Sequence, residues 1–161
     1  LRYKEPAIYI ELFIGDIQIK EEKMWETEHS QVTDVDTDRL WSVFEGVHSG
    51  RIVLPGGDVF RPEGPLGVGT KIHVTPAGQD TMISKVVEFV PGLRYADETE
   101  FNGLVLRFAH QFEKVEGGTK ITHRLTISGD GSDQVGPEIG PQISADFPDQ
   151  MDALIAEARN A

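Results

Sequence analysis

Two histidines, His110 and His123, stand in stretches that otherwise alternate apolar with polar residues. Leu104, Leu106, Phe108, His110 and Phe112 fall on one side of an extended chain. After the glycine pair Gly117-Gly118, Ile121, His123, Leu125 and Ile127 do the same, while Thr122, Arg124, Thr126 and Ser128 form the wet side. An imidazole in an apolar wall can polarise a carbonyl, or take and return a proton in an aldol-type cyclisation. It can equally hold a ligand by a hydrogen bond, or satisfy itself in a partly wet cavity, and do no chemistry. Tyr95, on the stretch before, can offer a hydroxyl to the same space. His110, His123 and Tyr95 are therefore the candidate catalytic residues.

The elements around them must place both imidazoles on one inner face. A two-residue Gly117-Gly118 loop would pair Glu116 with Thr119. Phe112 then opposes His123 and His110 opposes Leu125, so the two imidazoles become diagonal neighbours about 6–7 Å apart. Residues 94–102 put Tyr95, Asp97, Thr99 and Phe101 on one face, with Leu93 just before them. Residues 81–90 carry apolar side chains in both alternations and declare no inner face. Further strands are expected at 26–32, 59–61 and 70–75, joined by turns such as Pro91-Gly92 and Asn102-Gly103, and short connections of this kind make an antiparallel meander. Between the first two strands, Asp36 or Thr37 can cap a helix carrying Leu40, Trp41, Phe44 and Val47 at helical spacing. At the other end, Val135, Ile139, Ile143, Phe147, Met151, Leu154, Ile155 and Ala158 recur every three or four residues, so 137–159 reads as a long helix bent at Pro141 and Pro148. An antiparallel sheet must cover its apolar face, and this helix is long enough to do it.

Composition narrows the choice of function. The chain has 161 residues, 39% hydrophobic and 26% charged, which fits one globular α+β domain. The formal charge is −12, from 15 basic against 27 acidic residues, with no basic cluster; nucleic acid and anionic membranes are not expected partners. There is no cysteine, which excludes disulfides and thiolate chemistry. No apolar run is long enough to span a bilayer and no secretory signal is visible, so a cytoplasmic location is expected. No phosphate loop or nucleophile elbow occurs, and Asp97 is the sole candidate to complete a metal set with the two histidines, without supporting spacing. Neither a metal nor a cofactor is expected. His48 and Arg51, near a turn, read as solvated, and Arg107 and Arg124 as outer-face residues pairing with carboxylates such as Glu113 or Glu98.

Residues 1–23 read as an extension. Residues 8–14 and 17–20 are strand-like around Gly15-Asp16, giving an extra hairpin packed on a sheet edge or a partner chain. Its apolar residues point towards a homodimer. Met24 opens a complete domain, 24–161, and is a candidate natural start.

Several strings, in order, resemble the START-related SRPBCC superfamily, and within it the polyketide cyclase/dehydrase-like branch. They are Met24-Trp25-Glu26-Thr27-Glu28-His29-Ser30, the stretch 36–47 with Leu40-Trp41, 87–93 with Pro91-Gly92, Gly117-Gly118-Thr119-Lys120-Ile121-Thr122-His123-Arg124, and Leu154-Ile155-Ala156-Glu157-Ala158. The resemblance runs from Met24 to the end. It implies the helix-grip fold, a curved antiparallel sheet wrapped around a long C-terminal helix, with a hydrophobic pocket between them. The expected function is binding of a small hydrophobic molecule, lipid-like or polyketide-like. Its lining would draw on Trp41, Phe44, Tyr95, Phe101, Leu106, Phe108, His110, Phe112, His123, Leu125, Phe147 and Met151. Two other readings share these residues: a cyclase or dehydrase using the histidines as acid and base, and a protein-interaction module whose cavity is filled by side chains.

Overall fold

The alternating stretches form strands and the three-to-four spaced ones form helices. The computed structural model describes residues 8–13 and 16–21 as backbone and residues 23–161 in full. Strands β1 (Ile8–Phe13) and β2 (Asp16–Glu21) pair antiparallel as a sheet of their own. The expected turn at Gly15 and the packing of the hairpin's side chains lie outside the described residues. Then come β3 (Met24–Thr33), α1 (Thr37–His48), β4 (Val59–Pro62), β5 (Lys71–Thr75), β6 (Met82–Val90), β7 (Arg94–Phe101), β8 (Leu104–Val115), β9 (Gly118–Ser128), α2 (Ser132–Ser144) and α3 (Phe147–Asn160). Strands β3 to β9 make one seven-stranded antiparallel sheet in the order β3-β9-β8-β7-β6-β5-β4. This is an α+β helix-grip fold.

Local chemistry explains most boundaries. Asp36 caps α1, its carboxylate accepting from the Asp38 N–H at 3.4 Å. Asn102 and Gly103 both take positive φ, 49° and 79°, between the paired Phe101 and Leu104, the tight turn that matches strand twist. On the outer face Arg124 meets Glu28 at 2.6 Å and Arg107 meets Glu98 at 3.8 Å. No helix among the described residues is long and apolar enough to cross a membrane.

Three expectations are corrected. First, the turn between β8 and β9 is Glu116-Gly117, because Val115 pairs with Gly118. Only Gly117 uses the left-handed region, with φ 78°. Gly118 is a glycine for another reason: a Cβ there would overlap the Thr33 carbonyl and approach Asp34 Cα to 2.9 Å. The register therefore slides, Phe112 opposes Ile121, and His110 opposes His123 directly. Both histidines keep the inner face because the two registers share one parity.

Second, β6 carries an irregularity between Val86 and Glu88. Ser84 and Val86 are buried before it, and Phe89 pairs with Tyr95 and packs on the core after it. One extra residue switches the inward alternation, which is why neither pattern in 81–90 was continuous. Third, the C-terminal helical segment is two helices. Pro148 sits in the first turn of α3, where its missing N–H costs nothing, so it marks a helix start and not a bend. Pro137 and Pro141 lie inside α2. That helix comes close to β3 because Gly136 and Gly140 face Trp25, where any Cβ would overlap the indole.

Two cores result. One joins α1, α3 and the sheet through Leu40, Trp41, Phe44, Tyr95, Phe112 and Met151. The other joins α2 and the start of α3 to the sheet through Trp25, Leu106, Leu125, Ile127 and Phe147, with Val135, Ile139 and Ile143 of α2 packed against it. Gly118→Ala should lower unfolding stability by about 1–3 kcal/mol, since the obstructing atoms are backbone. Gly64→Ala, with open space at its Cβ, should stay within about 0.5 kcal/mol of the parent. Urea unfolding midpoints of the two variants check this.

Candidate functional site

Register builds the site. One row crosses five strands through directly opposed residues: His29 on β3, His123 on β9, His110 on β8, Tyr95 on β7 and Phe89 on β6. Opposed residues share a face, so the row is a band of rings on the inner wall. His110 and His123 stack at 3.9 Å between ring centroids, and Phe147 of α3 closes on His123 at 3.7 Å. From the other side α1 brings His48, 4.3 Å from Phe60, 4.7 Å from Tyr95 and 5.6 Å from His110. Phe60, His48, His110, His123 and Phe147 thus form a continuous line of ring contacts, stacked from His110 to Phe147 and edge-on between His48 and His110.

His48 is not solvated, as its place near a turn suggests, but buried on the apolar face of α1. The available signal was its spacing, four residues beyond Phe44 and seven beyond Trp41. His29 also went unread as a wall residue. It is held by the Gln31 side chain at 3.0 Å, and Gln31 in turn donates to Asp152 of α3 at 2.9 Å.

Burial sets the protonation of the wall. His48 is lowered to about 4 by desolvation, partly offset by its contact with the Phe44 carbonyl. That carbonyl can only accept, so at neutral pH Nδ1 carries the proton and donates at 3.0 Å, leaving Nε2 an acceptor. His123 is lowered to about 3 by desolvation, then by the nearby His48 and His29. His110 is lowered well below its ordinary value for the same first reason, with His123 and His48 adding. All three are neutral at pH 7. Asp97 is raised to about 6 by burial, against the stabilising bond from Tyr95, whose hydroxyl donates to Asp97 Oδ2 at 2.8 Å. Tyr95 itself is raised by burial and by that carboxylate.

The wall retains free hydrogen-bonding capacity. His123 Nε2 and Trp41 Nε1 are fully buried with no partner among the described residues. Neither ring nitrogen of His110 has a hydrogen-bond partner among the described residues, and the residue as a whole is half-buried. Four rings surround His110, those of Phe44, His48, Tyr95 and His123, yet the residue is only half-buried, as are Phe60, Phe108 and Ile143.

The other candidate residues divide between layers. Trp41, Phe44, Tyr95, Phe112 and Met151 are in the first core, and Leu106, Leu125 and Phe147 in the second, with Phe108 beside it. Tyr95 and Leu125 have no accessible surface, so this layer is packed and is not the wall of an open cavity. Phe101 is 43% exposed near the β7–β8 turn and lines an open recess of about 540 Å³ with Met82 and Thr99, away from the histidines. A second recess, about 320 Å³, lies over Asp34, Thr37 and Lys114. Among the described residues no three metal-type side chains converge.

The depressed imidazoles make stability depend on acidity. Below pH 6.5 the unfolded chain takes up protons that the folded wall refuses, so stability falls as pH drops towards 4 and 3. Asp97 opposes this: its burial penalty fades as pH falls from about 6 to 3.8. His123→Phe keeps the stack and removes one such imidazole. Relative to the parent, it should gain roughly 2 kcal/mol of stability between pH 7.5 and pH 5. Chemical denaturation at the two pH values measures the gain.

No protein-family profile matches the sequence, and no curated protein matches it. Solved structures do match in fold. Ara h 8.0201 superposes with a TM-score of 0.67 at 17% identity, covering 86% of this chain and 100% of that one. Norcoclaurine synthase from Thalictrum flavum, a point mutant in complex with a transition-state analogue, gives 0.67 at 14% identity, covering 86% and 96%. The di-domain ARO/CYC StfQ from the steffimycin biosynthetic pathway gives 0.68 at 14%, covering 85% of this chain and 51% of that one. With its seven-stranded sheet closed by C-terminal helices, the chain has the helix-grip fold that these solved structures share.

Proposed function

We propose that this protein binds a small, largely hydrophobic molecule against the His48–His110–His123 wall, between the sheet and the C-terminal helices. The observation that carries the reading is His110. It faces inward, is ringed by aromatic groups, keeps accessible surface and has no hydrogen-bond partner among the described residues. A polar group left unpaired in an apolar surround costs free energy, which a ligand donor or acceptor would recover. The apolar rings around it supply the area that binding needs, and a few convergent polar groups supply orientation.

Binding is favoured over acid–base catalysis by the same electrostatics. A general base works best with a pKa near the working pH. His48 at about 4 and His123 at about 3 are far from it. Tyr95 spends its proton on Asp97 and has no surface to present. In this reading the imidazoles are neutral hydrogen-bonding groups that orient a ligand. The packed layer beneath them is what supports the alternative of an interaction module with a filled interior.

The probe N-phenyl-1-naphthylamine, uncharged at neutral pH, tests the site by fluorescence. Saturable micromolar binding is expected, weakened at least tenfold by Phe108→Trp and by Phe60→Trp, which enlarge two half-buried rings in contact with the histidines. Absence of saturable binding, or binding indifferent to both variants, would overturn the reading and favour the filled-interior module.

A further inference from the structure

A second surface stands at the far end of the sheet. Strand β7 gives Tyr95 to the histidine row, and Thr99 and Phe101 continue its parity about 13 Å and about 20 Å further along the chain. There a recess of about 540 Å³ is bounded by the β5–β6 connection and by the ends of β6 and β7. Ser84 opposes Thr99, so the two strands reach the recess side by side. Its apolar lining is Met82, Ile83 and Phe101, and its charged lining is Asp80 and Glu100.

Three properties of this lining point to one kind of occupant. Ile83 is 56% exposed and Phe101 43%, and large apolar groups gathered at one recess mark a contact surface where scattered ones do not. Thr99 is only 5% exposed, yet its hydroxyl lines the recess with no hydrogen-bond partner among the described residues. A buried hydroxyl left unpaired costs free energy that an incoming polar group recovers. Asp80 and Glu100 are exposed and form no ion pair among the described residues, no lysine or arginine lines the recess, and the chain carries a formal charge of −12. An anionic segment would be repelled. A cation is drawn in, and a guanidinium suits this lining better than an ammonium: it is planar and weakly hydrated, so it lies on an aromatic face while its edge donates to carboxylates.

We propose that this recess docks an arginine-bearing segment of a partner protein. The guanidinium lies against Phe101 and the carboxylates of Asp80 and Glu100, an N–H donor of the segment reaches Thr99 Oγ1, and an apolar neighbour of the arginine covers Met82 and Ile83. A volume of about 540 Å³ is that of a site for a whole small ligand, so one side chain leaves room for its neighbour, which is why a segment fits better than a lone guanidinium compound. The assignment is independent of the ligand site at the histidine wall.

Three matched peptides test it by calorimetry at pH 7.5 and low salt: acetyl-Gly-Leu-Xaa-Leu-Gly-amide, with arginine, lysine or citrulline as Xaa. Citrulline keeps the shape of arginine and loses its charge. The arginine peptide should bind roughly tenfold tighter than the citrulline one, the combined size of two exposed ion pairs and a cation–π contact, with lysine between them. The preference should shrink as salt is raised. In the double variant Asp80→Asn with Glu100→Gln the arginine-to-citrulline ratio should fall towards one, and in Phe101→Leu the advantage of arginine over lysine should disappear. Asp80, Glu100 and Phe101 are exposed, so these variants report without disturbing the packed layer. Equal affinity for arginine and citrulline in the parent overturns the proposal, as does a preference that survives in the double variant. No saturable binding of the arginine peptide overturns it too. N-acetylarginine amide binding as tightly as the peptide overturns the partner segment in favour of a small guanidinium compound.

Discussion

The close approach of Gly118 to the Thr33 carbonyl fixes the arrangement on which the rest depends. It ties the start of β9 to the end of β3, forces the reversal onto Glu116-Gly117, and so sets which residues of β8 and β9 oppose each other. A slip of the pairing would preserve every inward face, because a two-residue change in register keeps parity. It would not preserve the row. His29, His123, His110 and Tyr95 line up across the sheet only in this register, and the stacking of His110 on His123 at 3.9 Å is its direct product.

Once the rings are aligned, their surroundings decide their chemistry. Imidazole has an ordinary pKa near the physiological range, which makes it the usual proton carrier. Here each ring lies against other rings, with little water to stabilise a charge and with other imidazoles that would repel it. The neutral form prevails, and the wall offers lone pairs and N–H groups without formal charge. A buried acid stands beside it on β7, where Asp97 accepts a hydrogen bond from the Tyr95 hydroxyl.

The helices hold this wall in place by different means. Helix α1 presents Trp41, Phe44 and His48 along one stripe, so the helix contacts the wall or its neighbours at successive turns. Helix α2 gives up side chains to gain proximity: Gly136 and Gly140 let its backbone lie against Trp25. Its end at Ser144 and the restart at Phe147 turn the chain so that Phe147 reaches His123. A continuous helix over this span would present different residues to the stack.

Much of this was legible in the residues themselves. Alternation and turn chemistry located each strand from β3 to β9 nearly to its ends. Helical spacing and Asp36 located α1, and the ordered strings pointed to the helix-grip fold. Parity alone put His110 and His123 on the inner face. These are local properties, set by backbone geometry and by where apolar side chains must go. What only the tertiary structure decided depends on contacts between distant segments. Whether Gly117 or Gly118 served the turn rested on β3, over eighty residues away. The inward face of β6 rested on a bulge that no pattern within the strand announced. His48 became a wall residue because α1 lies across β8, and its polarity by itself suggested water. Sequence specifies which side of each element is apolar. Only packing specifies which of those sides meet, and the site is made where they do.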